Sequence, residues 1–448
     1  MDEEFILNEI ENNTEEYIEF LRDILQIESY NPPGNEKNVA LKIENFLKDE
    51  GLECKIFPFG ENRANLIARL NDNFDGKNLL YNGHMDVVPP GSEKEWKYPP
   101  LSASIKRKKI FGRGTADMKG GLAAMVITLK IFKKLDLKLS GNLYLHAVAD
   151  EETGGTFGTQ WILENNQEPI KCDFVVIGEA TGLSPLPKGI ILGEKGRVEI
   201  KLVTNGISCH ASVPFMGKNA IYMMSEIIQN LDKLEEYIPE VDPPLSSNEL
   251  KNLVSVAFPS KETFEKIFIE QQVLQNVVTA NTNFAKSLTM INGGIKPNVI
   301  PDKCEAIMDF RLLPGQTTKM VSDALKKLIN ELGYNVKDEN EGTSEEVFVY
   351  IEILMKGEAS YWKDWRKSSA LKDFYNIVEK VYEKKPIYFF LPASADAVHY
   401  RNTGFCESTI IFGPGMAATA HAINEYMELQ DFINAIKVYS LFAYEFLK

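Results

Sequence analysis

Five histidines are spread along the chain, and two of them sit where metal chemistry is readable from residue type and spacing. His84 closes a short apolar run in the stretch NGHMD, with Asp86 two residues on and able to face the same way. A carboxylate in that position can hold the far imidazole nitrogen and aim the near one at a metal. Asp117 follows GRGTA, Glu151 and Glu152 follow a second apolar run, Glu179 follows a third, and His421 comes soon after the turn FGPG. One acidic residue at a strand end is usually only solvated, so the set carries the reading. Adjacent carboxylates repel unless cations lie between them. Two divalent ions held by His84, Asp117, Glu152, Glu179 and His421 would supply those cations. Imidazole with carboxylate suits zinc, with cobalt or manganese as alternatives.

These residues need a scaffold that gathers them. Residues 15–25 and 38–50 read as amphipathic helices, 79–83 as a buried strand and 120–135 as a long helix. Two more strands are predicted at 142–149 and 174–178, a last one at 408–412, and a closing helix at 431–447. That rhythm predicts an α/β fold, a mostly parallel sheet with helices on both faces. Open sheets of this kind bind ligands at the carboxyl ends of their strands, where the acidic residues and His84 fall. The middle differs. Residues 197–204, 285–292, 303–311 and 348–354 read as strands, with helices at 219–234 and 317–332. We expect there a smaller α+β two-layer lid or dimerisation unit, residues 194–358, interrupting a catalytic unit made of 1–193 and 359–448.

Composition narrows the function classes. The 448 residues carry 49 basic and 64 acidic side chains, a formal charge of −15. Such a surface has little reason to bind nucleic acid non-specifically. No apolar run has the length of a membrane span, and the acidic start MDEEFILNEI does not read as a secretory signal. Five scattered cysteines with no CxxC pair argue against a disulfide framework and fit a reducing cytoplasm. His146, inside LYLHAVA, reads as a core histidine. Lys106 to Lys109 reads as a hairpin turn, and GRG around Arg113 lacks the ending of a phosphate loop.

The stretches NGHMDVVPPG, GRGTADMKGG, DEETGG, IGEAT, NGISCHASVPFMGKNAI, NVIPDKCEAIMDFRLLPGQT, SADA and ATAHAINEY occur here in one order. Together they resemble the two-metal amidohydrolase and peptidase family that includes acetylornithine deacetylase, succinyl-diaminopimelate desuccinylase, aminoacylase and glutamate carboxypeptidase. The resemblance implies that His84 and Glu179 bind one metal, Glu152 and His421 the other, and that Asp117 bridges them. It implies Glu151 as general base, Asp86 as the residue orienting His84, and a cis peptide after Asp117. It further implies that His210 steadies the oxyanion, in dimeric members from the partner subunit, and that Arg311 and Asn298 hold the substrate, Arg311 through its carboxylate.

The function so implied is zinc-dependent hydrolysis of small N-acyl amino acids by a metal-bridging water. The alternative is a metallocarboxypeptidase or dipeptidase acting on substrates with a free carboxylate. A binding protein that kept the fold but lost the chemistry would lack a ligand or the base, and none is missing. Desuccinylase-like members often carry Thr-Asp-Ala-Arg near the C-terminal site. This chain has Ala395-Asp396-Ala397-Val398, with Arg401 one helical turn beyond Ala397. Glutamate at 179, where the amino-terminal exopeptidases tend to have aspartate, leans toward acylases and carboxypeptidases.

Overall fold

The computed structural model describes residues 2–448 except 72–74, 166, 168, 170, 185, 340, 342, 344 and 345. Its largest element is a nine-stranded sheet. The centre is parallel: Asn142–Val148, Asn78–His84, Phe174–Ile177 and Thr409–Ile411 lie side by side in that order. The flanks depart from the predicted parallel pattern, so the sheet is mixed. Cys54–Pro58 and Ala64–Leu70 form an antiparallel pair, and Ala64–Leu70 runs antiparallel to Asn142–Val148. On the far side, Gly189–Glu194 runs antiparallel to Thr409–Ile411 and pairs parallel with Ile387–Leu391. A five-residue connection such as 59–63 can make a hairpin but not a crossover to a parallel neighbour.

Helices cover both faces of the sheet, so its central strands are buried on both sides and read as unbroken apolar runs. On one face the helix Lys119–Lys134 is buried from Lys119 to Phe132, as its all-round apolar sequence requires. The closing helix Leu429–Leu447 and the helix Ser369–Tyr382 pack beside it, with Phe374, Phe412 and Phe442 meeting edge to face. On the opposite face Tyr400 and Ala397, from the short helix Ala397–Asn402, join Val175, Ile177 and Ile411. His146 lies in this region, fully buried, its Nδ1 2.9 Å from the Tyr400 hydroxyl.

A second sheet runs Ala285–Gly293, Lys303–Leu312, Gly196–Asn205, Phe348–Lys356, Val336–Lys337, antiparallel except for the last pair. The helices Ala220–Gln229 and Thr318–Glu331 cover one face and build a separate core around Val198, Ile200, Leu202, Met308 and Leu325. Three helices have no counterpart in the sequence reading: Ser247–Ser255, Lys261–Glu270 and Gln272–Thr282. They interrupt this unit in sequence, yet Leu250, Val254, Phe264 and Phe268 join the core of the large sheet. The capping box of Ser246 and Glu249 starts the first of them and is a readable signal.

The basic run does form a hairpin. Ser104–Lys106 pairs with Lys109–Phe111, with Arg107 and Lys108 at φ 50° and 62°, and Tyr426–Glu428 adds a third strand. Among the described residues no helix is long and apolar enough to cross a membrane.

One close approach ties the fold to the site. A Cβ at Gly121 would lie 1.9 Å from the Gly178 carbonyl oxygen. Only glycine lets the start of the Lys119–Lys134 helix rest on the end of the Phe174–Ile177 strand. Gly121→Ala should therefore lower the free energy of unfolding by about 1–3 kcal/mol, the usual cost of overpacking. Urea unfolding followed by circular dichroism measures it, and an unchanged midpoint and slope would contradict this packing.

Candidate metal centre

Parallel register puts three of the candidate loops at one level. His84 is opposite Val148, Asn82 is opposite Ile177, and Ile177 is opposite Ile411. The chain leaving each strand end therefore carries its polar residues into the same space: Glu151 and Glu152 after Val148, Glu179 after Ile177, His421 beyond Ile411. Asp117 arrives from the loop that precedes the Lys119–Lys134 helix, and the Asp117–Met118 peptide is cis, as the resemblance implied.

The five predicted ligands meet in two lobes around Asp117. Its Oδ1 lies 3.0 Å from His84 Nε2, which is also 3.0 Å from Glu179 Oε1. Its Oδ2 lies 3.0 Å from His421 Nε2, which is likewise 3.0 Å from Glu152 Oε2. Glu151 Oε2 stands 3.9 Å from His84 Nε2.

The tautomer of His84 is fixed by its other nitrogen. Nδ1 donates to the Asp86 backbone carbonyl at 2.9 Å, so in the neutral ring Nε2 carries a lone pair. That lone pair faces two carboxylate oxygens, which demands a cation or a proton between them. Donor atoms about 2.0–2.2 Å from a zinc ion lie roughly 3.3 Å apart at tetrahedral angles. The 3.0 Å separations are close to that edge length. The donor set, two imidazoles and three carboxylates, thus fits a pair of divalent ions.

The protein's own charges show the same demand. Burial, together with Glu179 and Glu152, raises the Glu151 carboxyl well above its ordinary range, against the opposing pull of His84. Burial and Asp117 push Glu179 up to about 7. Hydrogen bonds to Asp117 and Glu152 raise His421 to about 10. For Asp117, the hydrogen bonds to His421 and His84 outweigh burial and hold its carboxyl well below the usual range. Two dications between these groups would reverse the raised carboxylates.

Asp86 does its work differently from the sequence reading. Its carboxylate Oδ1 is 3.6 Å from His84 Nδ1, so the backbone carbonyl rather than the side chain orients the ring. The buried carboxylate instead accepts from the backbone N–H groups of Glu151 and Glu152 at 3.3 and 3.2 Å and from Asn31 Nδ2 at 2.9 Å. It thereby sets the turn that presents both glutamates. Asp150, at φ 72°, completes that turn by accepting from Thr153 Oγ1, Phe157 N and Arg63, which also pairs with buried Glu36. The sequence reading missed Asn31, Arg63 and Glu36, whose partners lie 55, 87 and 27 residues away.

His210, Asn298 and Arg311 lie on the second sheet's unit. Among the described residues none of them makes a hydrogen bond or ion pair with the five ligand side chains. His210 is exposed, with its Nδ1 accepting from the Ser212 backbone N–H at 3.2 Å, which leaves Nε2–H as a donor. Asn298 is exposed, and its carbonyl accepts from Ala211 N. Arg311 Nε and Nη2 donate to the two Asp309 carboxylate oxygens at 2.7 and 3.2 Å. Arg401 is buried and spent on Ser360 Oγ, Glu194 and the Thr409 carbonyl, so it does not stand in for the arginine absent at Val398.

Known proteins resemble this chain along nearly its whole length. A probable succinyl-diaminopimelate desuccinylase of Staphylococcus aureus is 28% identical over 439 residues, covering 97% of this chain and 98% of that protein. The succinyl-diaminopimelate desuccinylase of Ehrlichia canis is 25% identical over 404 residues, covering 83% of this chain and 98% of that protein. Among solved structures, an M20 family metallo-carboxypeptidase from Sulfolobus solfataricus superposes with a TM-score of 0.75 at 22% identity, covering 95% of this chain and 98% of that one. Human carnosine dipeptidase 1 superposes with a TM-score of 0.74 at 14% identity, covering 100% and 99%. At these identities the structural likeness is one of fold. The model of peptidase family M20/M25/M40 matches residues 80–445, and this chain belongs to that family of amide- and peptide-bond hydrolases.

Proposed function

We propose that this chain hydrolyses the amide bond of small N-acyl amino acids that carry a free carboxylate, using two divalent metal ions, zinc by preference. The observation that carries the reading is the division of the Asp117 carboxylate between His84 and His421. When bound, the ions supply Lewis acidity and lower the pKa of a water. His84 and Glu179 would hold one ion, Glu152 and His421 would hold the other, and Asp117 would be shared between them. Glu151 accepts the proton of the attacking water and returns it to the leaving nitrogen. His210 offers its Nε2–H to the developing oxyanion. Arg311, braced by Asp309, and Asn298 receive the substrate carboxylate end. The succinyl-diaminopimelate desuccinylase relatives support the acylase reading.

The second unit supports a homodimer. Ala285–Gly293 is an edge strand, exposed along nearly its whole length. Met290 and Ile291 on it, Ile295 beyond it, and Phe215 and Tyr222 nearby in sequence to His210 are exposed apolar side chains. An open apolar edge of this kind is a template for pairing with a second copy. His210 then serves the partner's site. Five free cysteines fit a reducing cytoplasm.

Chelation should abolish turnover, and adding back zinc, cobalt or manganese should restore it; full activity in metal-free protein ends this reading. Glu151→Gln should retain metal and fold but lose about 10²–10⁴-fold in kcat, the usual weight of a general base. A turnover panel of acetylated and succinylated amino acids against free and carboxyl-blocked dipeptides assigns the substrate. Dominant cleavage of free dipeptides would replace the acylase reading with a dipeptidase one.

Mixing inactive His210→Ala and Glu151→Gln chains under subunit exchange tests sharing. A mixed dimer has one site with both normal groups, so activity should return. Verified mixed dimers without activity would confine His210 to its own chain.

A further inference from the structure

The ligands differ in how they are supported. His84 ends a central strand, and Glu179 stands two residues past another. His421 lies ten residues beyond the Thr409–Ile411 strand, at φ 60°, with its side chain 53% exposed. Asp117 also comes from a loop, one that contains Gly114 at φ 88°. Local hydrogen bonds shape each segment, from Thr115 N and Oγ1 to the Gly112 carbonyl and from Ala422 N to the Thr419 carbonyl, but they do not join one segment to the other.

A buried ion pair joins the two segments. Arg113 Nη1 donates to Glu425 Oε2 at 2.7 Å, with side chains 2% and 0% exposed. Glu425 Oε1 accepts from the backbone N–H groups of Ala116 and Asp117 at 2.7 and 3.1 Å, and from Thr115 Oγ1 at 3.4 Å. Arg113 in turn donates to the carbonyls of His421 and Ala422 at 3.3 Å and of Pro89 at 3.5 Å. The guanidinium stands over the Trp96 ring at 5.2 Å. The small sheet backs this arrangement, since Tyr426–Glu428 pairs with Lys109–Phe111 and Gly112 N donates to the Glu425 carbonyl. An apolar pair of equal volume would leave these backbone donors and acceptors buried without partners.

We propose that Arg113 and Glu425 are a positioning pair that sets the separation of Asp117 and His421, and so preorganises the lobe formed by Asp117, Glu152 and His421. The His84–Glu179 lobe rests on strand ends and depends on the pair only through Asp117. The inference rests on the two-metal reading. Loss of the pair should weaken the ion of the His421 lobe by about 10–100-fold, the usual weight of groups that orient ligands, and change the other by less than about threefold.

The test is cobalt titration of the metal-free full chain, followed by calorimetry and visible absorption, on wild type, Arg113→Lys and the double variant R113M/E425Q. Arg113→Lys keeps the charge but not the fork. The double variant leaves no unpaired buried charge, yet keeps an oxygen for the Ala116 and Asp117 N–H groups. A selective loss of affinity for one of the two ions, with the melting temperature of the metal-free protein near wild type, supports the proposal. Two wild-type affinities in both variants overturn it. An equal fall of both affinities, or failure of both variants to fold, also overturns it, because the pair is then a general stabiliser. Wild-type protein that binds no cobalt refutes the metal reading itself and is seen before any variant is made.

Discussion

Four carboxylates, Asp117, Glu151, Glu152 and Glu179, converge on two imidazoles in a space where one carboxylate touches both rings. Like charges this close destabilise a fold unless something neutralises them. The architecture accepts that cost at a single place, the carboxyl ends of parallel strands. There the strand termini fix backbone positions, and apolar helices exclude water from below. Neighbouring polar groups fix the backbone that presents these side chains. Asp86 takes up backbone donors of the glutamate turn, Asp150 closes that turn with Arg63, and the Asp86 carbonyl holds His84. The scaffold is thus built around a charge deficit that dications would fill.

The same logic separates two kinds of support. Side chains at strand ends inherit their positions from a hydrogen-bonded ladder with cores on both faces. Side chains on loops are held by individual buried ion pairs, each linking segments far apart in sequence. A ladder loses little when one contact is removed, whereas the Arg113–Glu425 pair is backed only by the short strand Tyr426–Glu428 and the bond from Gly112 N to the Glu425 carbonyl. Buried pairs of this type are weak evidence for net stability, and their value here lies in geometry.

The cluster of His84, Asp117, Glu152, Glu179 and His421 was legible because its members are polar residues that follow apolar runs or turns at the ends of predicted strands. His84, Glu152 and Glu179 show this directly. The mixed flanks of the sheet were not legible, since Cys54–Pro58 and Gly189–Glu194 have the same apolar character in either direction. Glu425 lies 308 residues from Asp117, and no periodicity announces such a partner. The GRG stretch around Arg113 has no phosphate-loop ending, and nothing in its residues announces that Arg113 is buried. Arg401 lies one helical turn beyond Ala397, but Glu194, Ser360 and the Thr409 carbonyl claim its guanidinium. The Asp86 carboxylate was assigned to His84 by proximity in sequence, yet the backbone carbonyl makes the closer bond.

The helices at 247–282 alter how the second sheet is attached. An inserted unit normally joins its host where the chain enters and leaves, here near Glu194 and Ser360, whose strands pair antiparallel. In this chain the polypeptide also leaves the second unit to build those helices onto the large core, and returns at Asn283, whose carbonyl accepts from the buried Lys195 ammonium. The unit therefore has four tethers rather than two. A body on two adjacent tethers can swing as a door does; with two more fastened elsewhere it behaves as a braced panel. Any large swing of His210 and Arg311 relative to the carboxylates around Asp117 must bend the segments at 237–246 and 283–285 or lift Leu250 and Phe268 from the core.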